Sequence, residues 1–248
     1  MKSKEWDKIA KNYHEEVISP FQEGVKNPLF NELNKIKNCN NKIIADVGCG
    51  RGEILNQLAS KFKEVYAIDF SPEMIKIAKE NCSKKNVNFF IMDMKNLDFK
   101  NKFDVILSIN SLLMPKIVDV KKALNSMYSS LKDKGKFYGV FPSMNAILYQ
   151  GFLILEDQIK DNDEEIALKN TKKILERSKY NFVNGTYNDN EEVQKFYYDF
   201  EIKLRLKDSG FRNLVLSKVL YPWGVNISDY EDFPGRPEMW DWFVSARV

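Results

Sequence analysis

The feature that most constrains this chain is an alternation of short apolar runs with longer amphipathic segments between Lys42 and Phe141. The segments between the runs carry apolar residues at the three- and four-residue spacing of a helix. Strands that alternate with helices need crossover connections, which produce a parallel sheet covered by helices on both faces. The sequence therefore predicts a doubly wound, Rossmann-like α/β fold. The predicted strands are KIIADV, VYAID, NFFIMD, FDVILSI and GKFYGVF.

Several residues mark the expected ends of helices. Ser71 precedes Pro72 and is predicted to be a helix N-cap, with proline at the first helical position. Gly135 is predicted to end the helix before the fifth run. Asp199 is the expected cap of a later helix, which Gly210 ends.

After Phe141 the pattern changes to a long segment with helical spacing, followed by a possible hairpin, a helix and two closing apolar runs. The charge blocks of the long segment are typical of a solvated helix face. No linker rich in glycine, proline or serine divides the chain, so we expect one domain. Its expected parts are an N-terminal helical cap (1–41), a core (42–143), a helical and hairpin lid (144–198) and a closing helix with strands (199–248).

Composition excludes several classes of protein. The net charge of +3 arises from 38 basic and 35 acidic residues that are interleaved, which disfavours a nucleic-acid partner. Three cysteines without paired spacing and a single histidine indicate neither disulfides nor a metal site. The amino-terminal segment lacks the apolar core of a signal peptide, and no apolar run approaches the roughly 20 residues of a membrane span. We therefore expect a cytoplasmic protein with no membrane contact.

A glycine-rich turn follows the first predicted strand, in the sequence DVGCGRGE. Gly48, Gly50 and Gly52 can adopt positive φ and let a ligand approach the backbone closely. Their spacing is one residue shorter than the G-x-G-x-x-G of dinucleotide-binding turns, and Asp46 precedes them. A pyrophosphate ligand is therefore disfavoured. An ordinary strand-to-helix turn is the alternative interpretation.

Acidic residues end the next two predicted strands. Asp69 ends the second run, where a carboxylate can accept hydrogen bonds from both ribose hydroxyls of a nucleoside. Asp93 ends the third, where it could receive the exocyclic amine of adenine, although it could also be a simple turn carboxylate. Two acids beside a loop without a phosphate site suit an adenosine whose other end is cationic. S-adenosylmethionine has that shape and charge.

With these motifs the chain resembles the class I S-adenosylmethionine-dependent methyltransferases. The resemblance rests on DVGCGRG, on Asp69 and Asp93, on FDVILSINSLL, and on the terminal KDSGFRNLVL and WDWFVSARV. It implies a seven-stranded, mostly parallel sheet with the last strand antiparallel, a lid inserted after the fifth strand, and no metal. The residues expected to bind the cofactor are Tyr13, Asp46, Gly48, Cys49, Gly50, Asp69, Phe70, Met74, Asp93, Met94 and Asn110.

Methyl transfer from a sulfonium is an in-line displacement, so a general base is needed only for a protonated nucleophile. The sequence offers no obvious base. His14 and Asn110 are the two candidates for a catalytic role, although a lone histidine is more often a surface or packing residue. Asn110 lies in SINS, which lacks the proline pair that marks amino methyltransferases acting on nucleic-acid bases.

Aromatic residues are dense in the second half of the chain, and most of them should be core residues. Some adjoin turns or strand ends and could wall a pocket for a planar acceptor or an alkylated ammonium group. The lid is where specificity is expected. The candidate pocket residues are Tyr149, Tyr197, Tyr198, Tyr221 and Trp223.

The sequence thus predicts a methyltransferase that acts on a small-molecule acceptor, as a monomer or a homodimer. Two alternatives remain open: a tRNA or rRNA methyltransferase, and a non-catalytic module that binds S-adenosylmethionine and regulates a partner. A nicotinamide oxidoreductase is disfavoured by the glycine spacing.

Overall fold

A central seven-stranded sheet dominates the computed structural model, which describes residues 19–177, 180–189, 192–224 and 232–248. Its strands are β1 (Ile43–Val47), β2 (Glu64–Asp69), β3 (Val87–Ile91), β4 (Phe103–Ile109), β5 (Leu131–Phe141), β9 (Arg212–Tyr221) and β10 (Met239–Arg247). They are arranged in the order β3-β2-β1-β4-β5-β10-β9. β1 to β5 pair in parallel, and only β10 runs antiparallel to both its neighbours. The predicted doubly wound, seven-stranded sheet is confirmed.

Helices cover both faces of the sheet because its inner strands are apolar on both sides. Ile44 of β1 faces a core layer with helices α1, α2 and α3, while Ala45 faces a second layer with α4 and α7. This alternation follows from the two-residue period of a strand. The helices are α1 (Leu29–Asn34), α2 (Leu55–Lys61), α3 (Pro72–Asn81), α4 (Ile117–Ser130), α5 (Met144–Asp161), α6 (Glu164–Arg177) and α7 (Asp199–Asp208).

Two of the predicted helix ends are confirmed. Ser71 is the N-cap of α3, where its hydroxyl accepts a hydrogen bond from the backbone N–H of Met74 at 3.1 Å. Gly210 follows the last turn of α7 with φ of +100°, a conformation that favours glycine.

Two other predicted ends are wrong. α4 ends at Ser130 and the chain passes directly into β5, so Gly135 lies within the strand. The register with β4 shifts there, because Phe103 pairs with Leu131 but Val105 pairs with Lys136. Gly135 therefore lies at an irregularity in the strand. A Cβ at this position would lie only 2.8 Å from the backbone oxygen of Lys132.

Asp199 is the second wrong end. It lies in the first turn of α7, and Tyr198 occupies the N-cap position. An acid in the first turn interacts favourably with the positive end of the helix dipole, which gives the same local preference as a cap.

The segment predicted as one long helical stretch forms two helices, α5 and α6, separated at Asn162. A three-stranded antiparallel sheet follows, composed of β6 (Tyr180–Asn181), β7 (Thr186–Asp189) and β8 (Glu192–Lys195). The predicted hairpin pairing is present between β7 and β8.

Buried polar contacts attach this small sheet to the central fold. The backbone N–H of Lys195 donates to the carbonyl of Leu113 at 2.9 Å, and the Tyr197 hydroxyl donates to the carbonyl of Leu112 at 2.6 Å. The fully buried Lys195 ammonium also pairs with Glu201 of α7 at 2.7 Å. The segment after β4 therefore lies directly under the small sheet.

Candidate functional site

A cavity of about 470 Å³ opens at the carboxyl ends of β1 to β4. The carboxyl edge is where parallel α/β sheets bind ligands, because the loops that follow the strands diverge there. Most of the residues predicted to bind a cofactor line the cavity: Gly48, Gly50, Asp69, Phe70, Met74, Asp93, Met94 and Asn110.

The glycine turn brings the backbone close to both the fold and the cavity. Gly48 has φ of +78°, and a Cβ at this position would overlap the side chain of Ser111. Gly50 has φ of +50°, and its Cβ would meet no atom within 4 Å. Gly48 is thus required by close packing against the segment after β4, whereas Gly50 leaves open space beside the cavity. The open space at Gly50 is consistent with the prediction that a ligand approaches the backbone of this turn. The sequence did not predict that Gly48 is needed for packing against Ser111.

Asp69 fixes the glycine turn at the end of β2. Its two carboxylate oxygens accept hydrogen bonds from the backbone N–H groups of Gly50 at 3.0 Å and Ser71 at 2.9 Å. The side chain is buried but lines the cavity. Each carboxylate oxygen has two lone pairs, so Asp69 is of the type that can accept hydrogen bonds from hydroxyl groups of a ligand.

Asp93 has both a local role and a position at the cavity. One oxygen accepts the backbone N–H of Lys95 at 2.9 Å, which caps a short 3-10 turn at Met94–Asn96. The other lies 3.4 Å from the Lys95 ammonium group. Asp93 is therefore a turn carboxylate, as one of the two interpretations of the sequence held. It also lines the cavity, so its binding of adenine stays a prediction.

The surroundings of the glycine turn are acidic. Burial, together with the charges of Asp69 and Glu53, raises the pKa of Asp46 from 3.8 to about 7. Asp46 and Cys49 lie behind the turn and are not part of the cavity lining. Burial, together with the charges of Asp69 and Asp46, raises the pKa of the Cys49 thiol, which keeps it neutral. A positively charged ligand group is therefore favoured beside this turn, and a phosphate is disfavoured.

Asn110 follows β4 in a left-handed conformation with φ of 44°, which asparagine tolerates better than most residues. Its amide nitrogen donates to the Asp241 carboxylate at 2.9 Å. Among the described residues, nothing bonds its buried carbonyl oxygen. A strained residue with an unpaired polar atom at a cavity is typical of a functional position.

The predicted aromatic pocket residues do not line the cavity. Their polar atoms mostly serve the fold: the Tyr197 hydroxyl bonds Leu112, that of Tyr198 bonds Phe182, and that of Tyr221 bonds Asp241. The Trp223 indole donates to Arg236. The Tyr149 ring packs on Trp240. Their role in substrate binding stays a prediction, as do the roles of Tyr13 and His14, which lie outside the described residues.

The far wall of the cavity was missed in the sequence. It is formed by the segment after β4, which is mostly apolar and carries charged residues at its end. The rule that points to residues after each strand could have identified it, since SLLMPK directly follows β4. The additional lining residues are Met92, Lys95, Ile109, Ser111, Leu113, Met114, Pro115, Lys116 and Asp119.

The residues present fit S-adenosylmethionine. Gly50 leaves backbone access, Asp69 and Asp93 can accept hydrogen bonds from a nucleoside, and the acidic surroundings suit a cation. Within the described ranges, no cluster of histidine, cysteine and acidic side chains could hold a metal ion. The described helices also include none with the length and hydropathy of a membrane span.

Comparisons with known proteins point to methyltransferases. Residues 44–135, which extend from β1 into β5, match a family described as a methyltransferase domain. A protein of Invertebrate iridescent virus 6 described as methyltransferase 235L is 26% identical over 83% of this chain and 80% of its own length. A malonyl-[acyl-carrier protein] O-methyltransferase of Bacillus anthracis is 30% identical over 46% of this chain and 43% of its own length.

The fold agrees as well. The crystal structure of an S-adenosylmethionine-dependent methyltransferase from Methanosarcina mazei superposes with a TM-score of 0.60 over 90% of this chain and 97% of that one, at 17% identity. The sheet and its glycine turn define a Rossmann-like methyltransferase. Residues 44–135 form a methyltransferase domain, and the chain as a whole is similar to S-adenosylmethionine-dependent methyltransferases.

Proposed function

We propose that this enzyme transfers the methyl group of S-adenosylmethionine to a small-molecule acceptor. The observation that carries the proposal is the cavity at the strand ends, whose volume of about 470 Å³ falls in the range of roughly 300–1,000 Å³ common for small-molecule sites. A polar, acidic side at β1 to β3 and an apolar side after β4 give it separate places for a donor and an acceptor.

The donor side consists of the strand-end acids and the glycine turn. Asp69 accepts hydrogen bonds from the ribose hydroxyls and Asp93 from the adenine amine. Gly50 lets the methionine half pass close to the backbone. Asp46, one layer behind the turn, favours the cationic end of the cofactor by its charge.

The acceptor side consists of Ile109, Leu113, Met114 and Pro115, beside Asn110. An apolar wall excludes water and holds the nucleophile in line, which is the main contribution that this chemistry needs from a protein. The cofactor supplies an electrophilic methyl group with a good leaving group. An acceptor that reacts without losing a proton first, such as a carboxylate or a free amine, therefore suits a wall without a base.

One relative supports an oxygen acceptor. The Bacillus anthracis protein is named for O-methylation of malonyl-[acyl-carrier protein], in which the acceptor is a small acyl group on a carrier. It matches less than half of this chain. We therefore propose a small methyl acceptor, either free or bound to a carrier, and name no particular compound.

The test has two stages. Isothermal titration calorimetry with S-adenosylmethionine and S-adenosylhomocysteine should detect binding of both. Transfer of a radiolabelled methyl group is then measured with pools of small carboxylic acids and amines, and separately with unmodified tRNA and rRNA. Labelling of a small-molecule pool supports the proposal.

Three outcomes contradict it in distinct ways. Binding of neither ligand removes the methyltransferase assignment and both alternatives. Labelling of RNA alone supports the RNA methyltransferase. Cofactor binding without transfer to any pool or to a lysate supports the regulatory module.

A further inference from the structure

Asp241 is a polar residue that neither the fold nor the proposed cofactor contacts explain. It lies on β10, partly buried, and its carboxylate accepts hydrogen bonds from the Asn110 amide at 2.9 Å and the Tyr221 hydroxyl at 2.7 Å. The backbone N–H of Ser143 also donates to it. All three donors are neutral groups.

Among the described residues, no positive charge balances the carboxylate of Asp241 locally. In the part of the chain that the structure describes, no lysine or arginine forms an ion pair with this carboxylate. A carboxylate withdrawn from water stabilises nearby positive charge more strongly than an exposed one, because the effective dielectric constant is lower. Such a charge near a cavity biases the cavity toward cationic ligands.

Asn110 links this charge to the cavity. It lines the cavity at the end of β4, and its amide donates to Asp241, which is not part of the cavity lining. With the nucleoside at Asp69 and Asp93, on β2 and at the end of β3, the methionine end of the cofactor extends toward β1 and β4. The sulfonium thus lies near the end of β4, where Asp241 holds Asn110.

The methyl donor and its product differ at this point. S-adenosylmethionine has a positively charged sulfonium, whereas S-adenosylhomocysteine has a neutral thioether; their other charged groups are the same. An interaction with the carboxylate that depends on charge therefore stabilises the donor complex more than the product complex.

We propose that Asp241 is a positioning residue that holds Asn110 and favours the cationic methyl donor over the neutral product. This inference rests on the proposed function, since it requires the cofactor to occupy the cavity. It gives the enzyme a means of releasing product after each transfer without a change in the contacts to the nucleoside.

The test is the ratio of two dissociation constants, which needs no knowledge of the acceptor. Calorimetry at pH 8 gives the affinities of S-adenosylmethionine and S-adenosylhomocysteine for the wild-type protein and for Asp241→Asn. We expect Asp241→Asn to weaken donor binding about three- to tenfold more than product binding, because only the donor carries the sulfonium charge that the carboxylate attracts. Burial raises the pKa of Asp241, so an alkaline pH is used to favour its ionised form.

Three further proteins serve as controls. Asp133→Asn removes an exposed carboxylate at the amino end of β5, far from the cavity, and should leave the ratio unchanged. Tyr221→Phe removes a hydrogen bond but keeps the charge, so it should also retain the wild-type ratio. Asp241→Glu should restore the preference for the donor. A structural role alone would weaken both ligands equally in Asp241→Asn.

An Asp241→Asn protein that binds both ligands with the wild-type ratio overturns this proposal and leaves the proposed function intact. Failure of the wild-type protein to bind either ligand overturns both. If Asp241→Asn does not fold, two matched analogues are compared on the wild-type protein, with CH–NH₃⁺ or CH–OH in place of the methylsulfonium. Tighter binding of the ammonium analogue that persists in Asp46→Asn supports the proposal; equal affinity, or a preference that disappears in Asp46→Asn, overturns it.

Discussion

Two regions of the molecule are held in place by different kinds of contact. The glycine turn and the strand ends around it are held by short-range contacts, such as Gly50 to Asp69 at 3.0 Å across neighbouring strands. The small sheet β6–β8 is held instead by the Tyr197 hydroxyl and the backbone N–H of Lys195, which donate to the carbonyls of Leu112 and Leu113, far away in sequence. The first region is specified by motifs and the second by tertiary packing. The variants below separate the two.

Lys195→Met should have the largest effect. The Lys195 ammonium is fully buried, donates to Glu201 and also bonds the carbonyls of Asn184 and Phe196. Removal of one partner of a buried ion pair costs about 3–5 kcal/mol, because the other charge remains buried. Urea denaturation monitored by circular dichroism measures this loss of unfolding free energy.

Lys203→Met is the matched control for that variant. Lys203 pairs with Asp199 on the exposed surface of the same helix, and such pairs contribute below about 1 kcal/mol. If the two regions are independent, folded Lys195→Met retains the wild-type affinity for S-adenosylhomocysteine. Equal destabilisation by both substitutions would refute the importance of the buried pair.

Asp69→Ala should have the second largest effect, on cofactor binding and also on stability, because the backbone N–H groups of Gly50 and Ser71 lose their acceptor. Loss of charge-assisted hydrogen bonds to the ribose should weaken cofactor binding by about 1.5–3 kcal/mol. Calorimetry with S-adenosylhomocysteine measures the change. Asp98→Ala, at an exposed position, should bind as the wild type does. Unchanged affinity in Asp69→Ala would mean that the ribose lies elsewhere.

The third prediction concerns pH. Because the pKa of Asp46 is raised to about 7, the folded protein holds this proton more tightly than the unfolded chain does. This group therefore makes the unliganded protein lose stability as pH rises from about 4 to about 7. A cationic ligand favours the ionised carboxylate, so cofactor binding should release a proton and strengthen up to about tenfold between pH 6 and 8.

Asp46→Asn checks this mechanism. The variant should show cofactor affinity that is nearly independent of pH over this range. Calorimetry in two buffers of different ionisation enthalpy counts the protons released by each protein. The same pH dependence in both proteins would assign the proton to another group.

Tyr197→Phe should have the smallest effect. It removes the hydrogen bond to the Leu112 carbonyl while keeping the ring that packs on Phe141. One such bond contributes about 1 kcal/mol to the free energy of unfolding. A thermal melt detects this change. Wild-type stability in Tyr197→Phe would show that the ring alone anchors the small sheet to the segment after β4.

Much of the cofactor half could be predicted from the sequence because its signals are local. The glycine turn, Asp69 and Asp93 each end a strand, and the parallel sheet brings such ends to one edge. The same logic could have identified Leu113 and Met114, which follow β4. The exact ends of α4 and α7 could not be predicted, because a strand irregularity and a first-turn acid produce the same residue preferences as caps.

The sequence by itself determined the doubly wound sheet, the glycine turn and the acids at its edge, since periodicity and spacing express local geometry. Only the tertiary structure decided that Gly48 must pack against Ser111, that Tyr197 bonds the segment after β4, and that Asp241 on the last strand bonds Asn110 after the fourth. These contacts join residues up to 131 positions apart, and their formation depends on strand order and burial rather than on neighbouring residues.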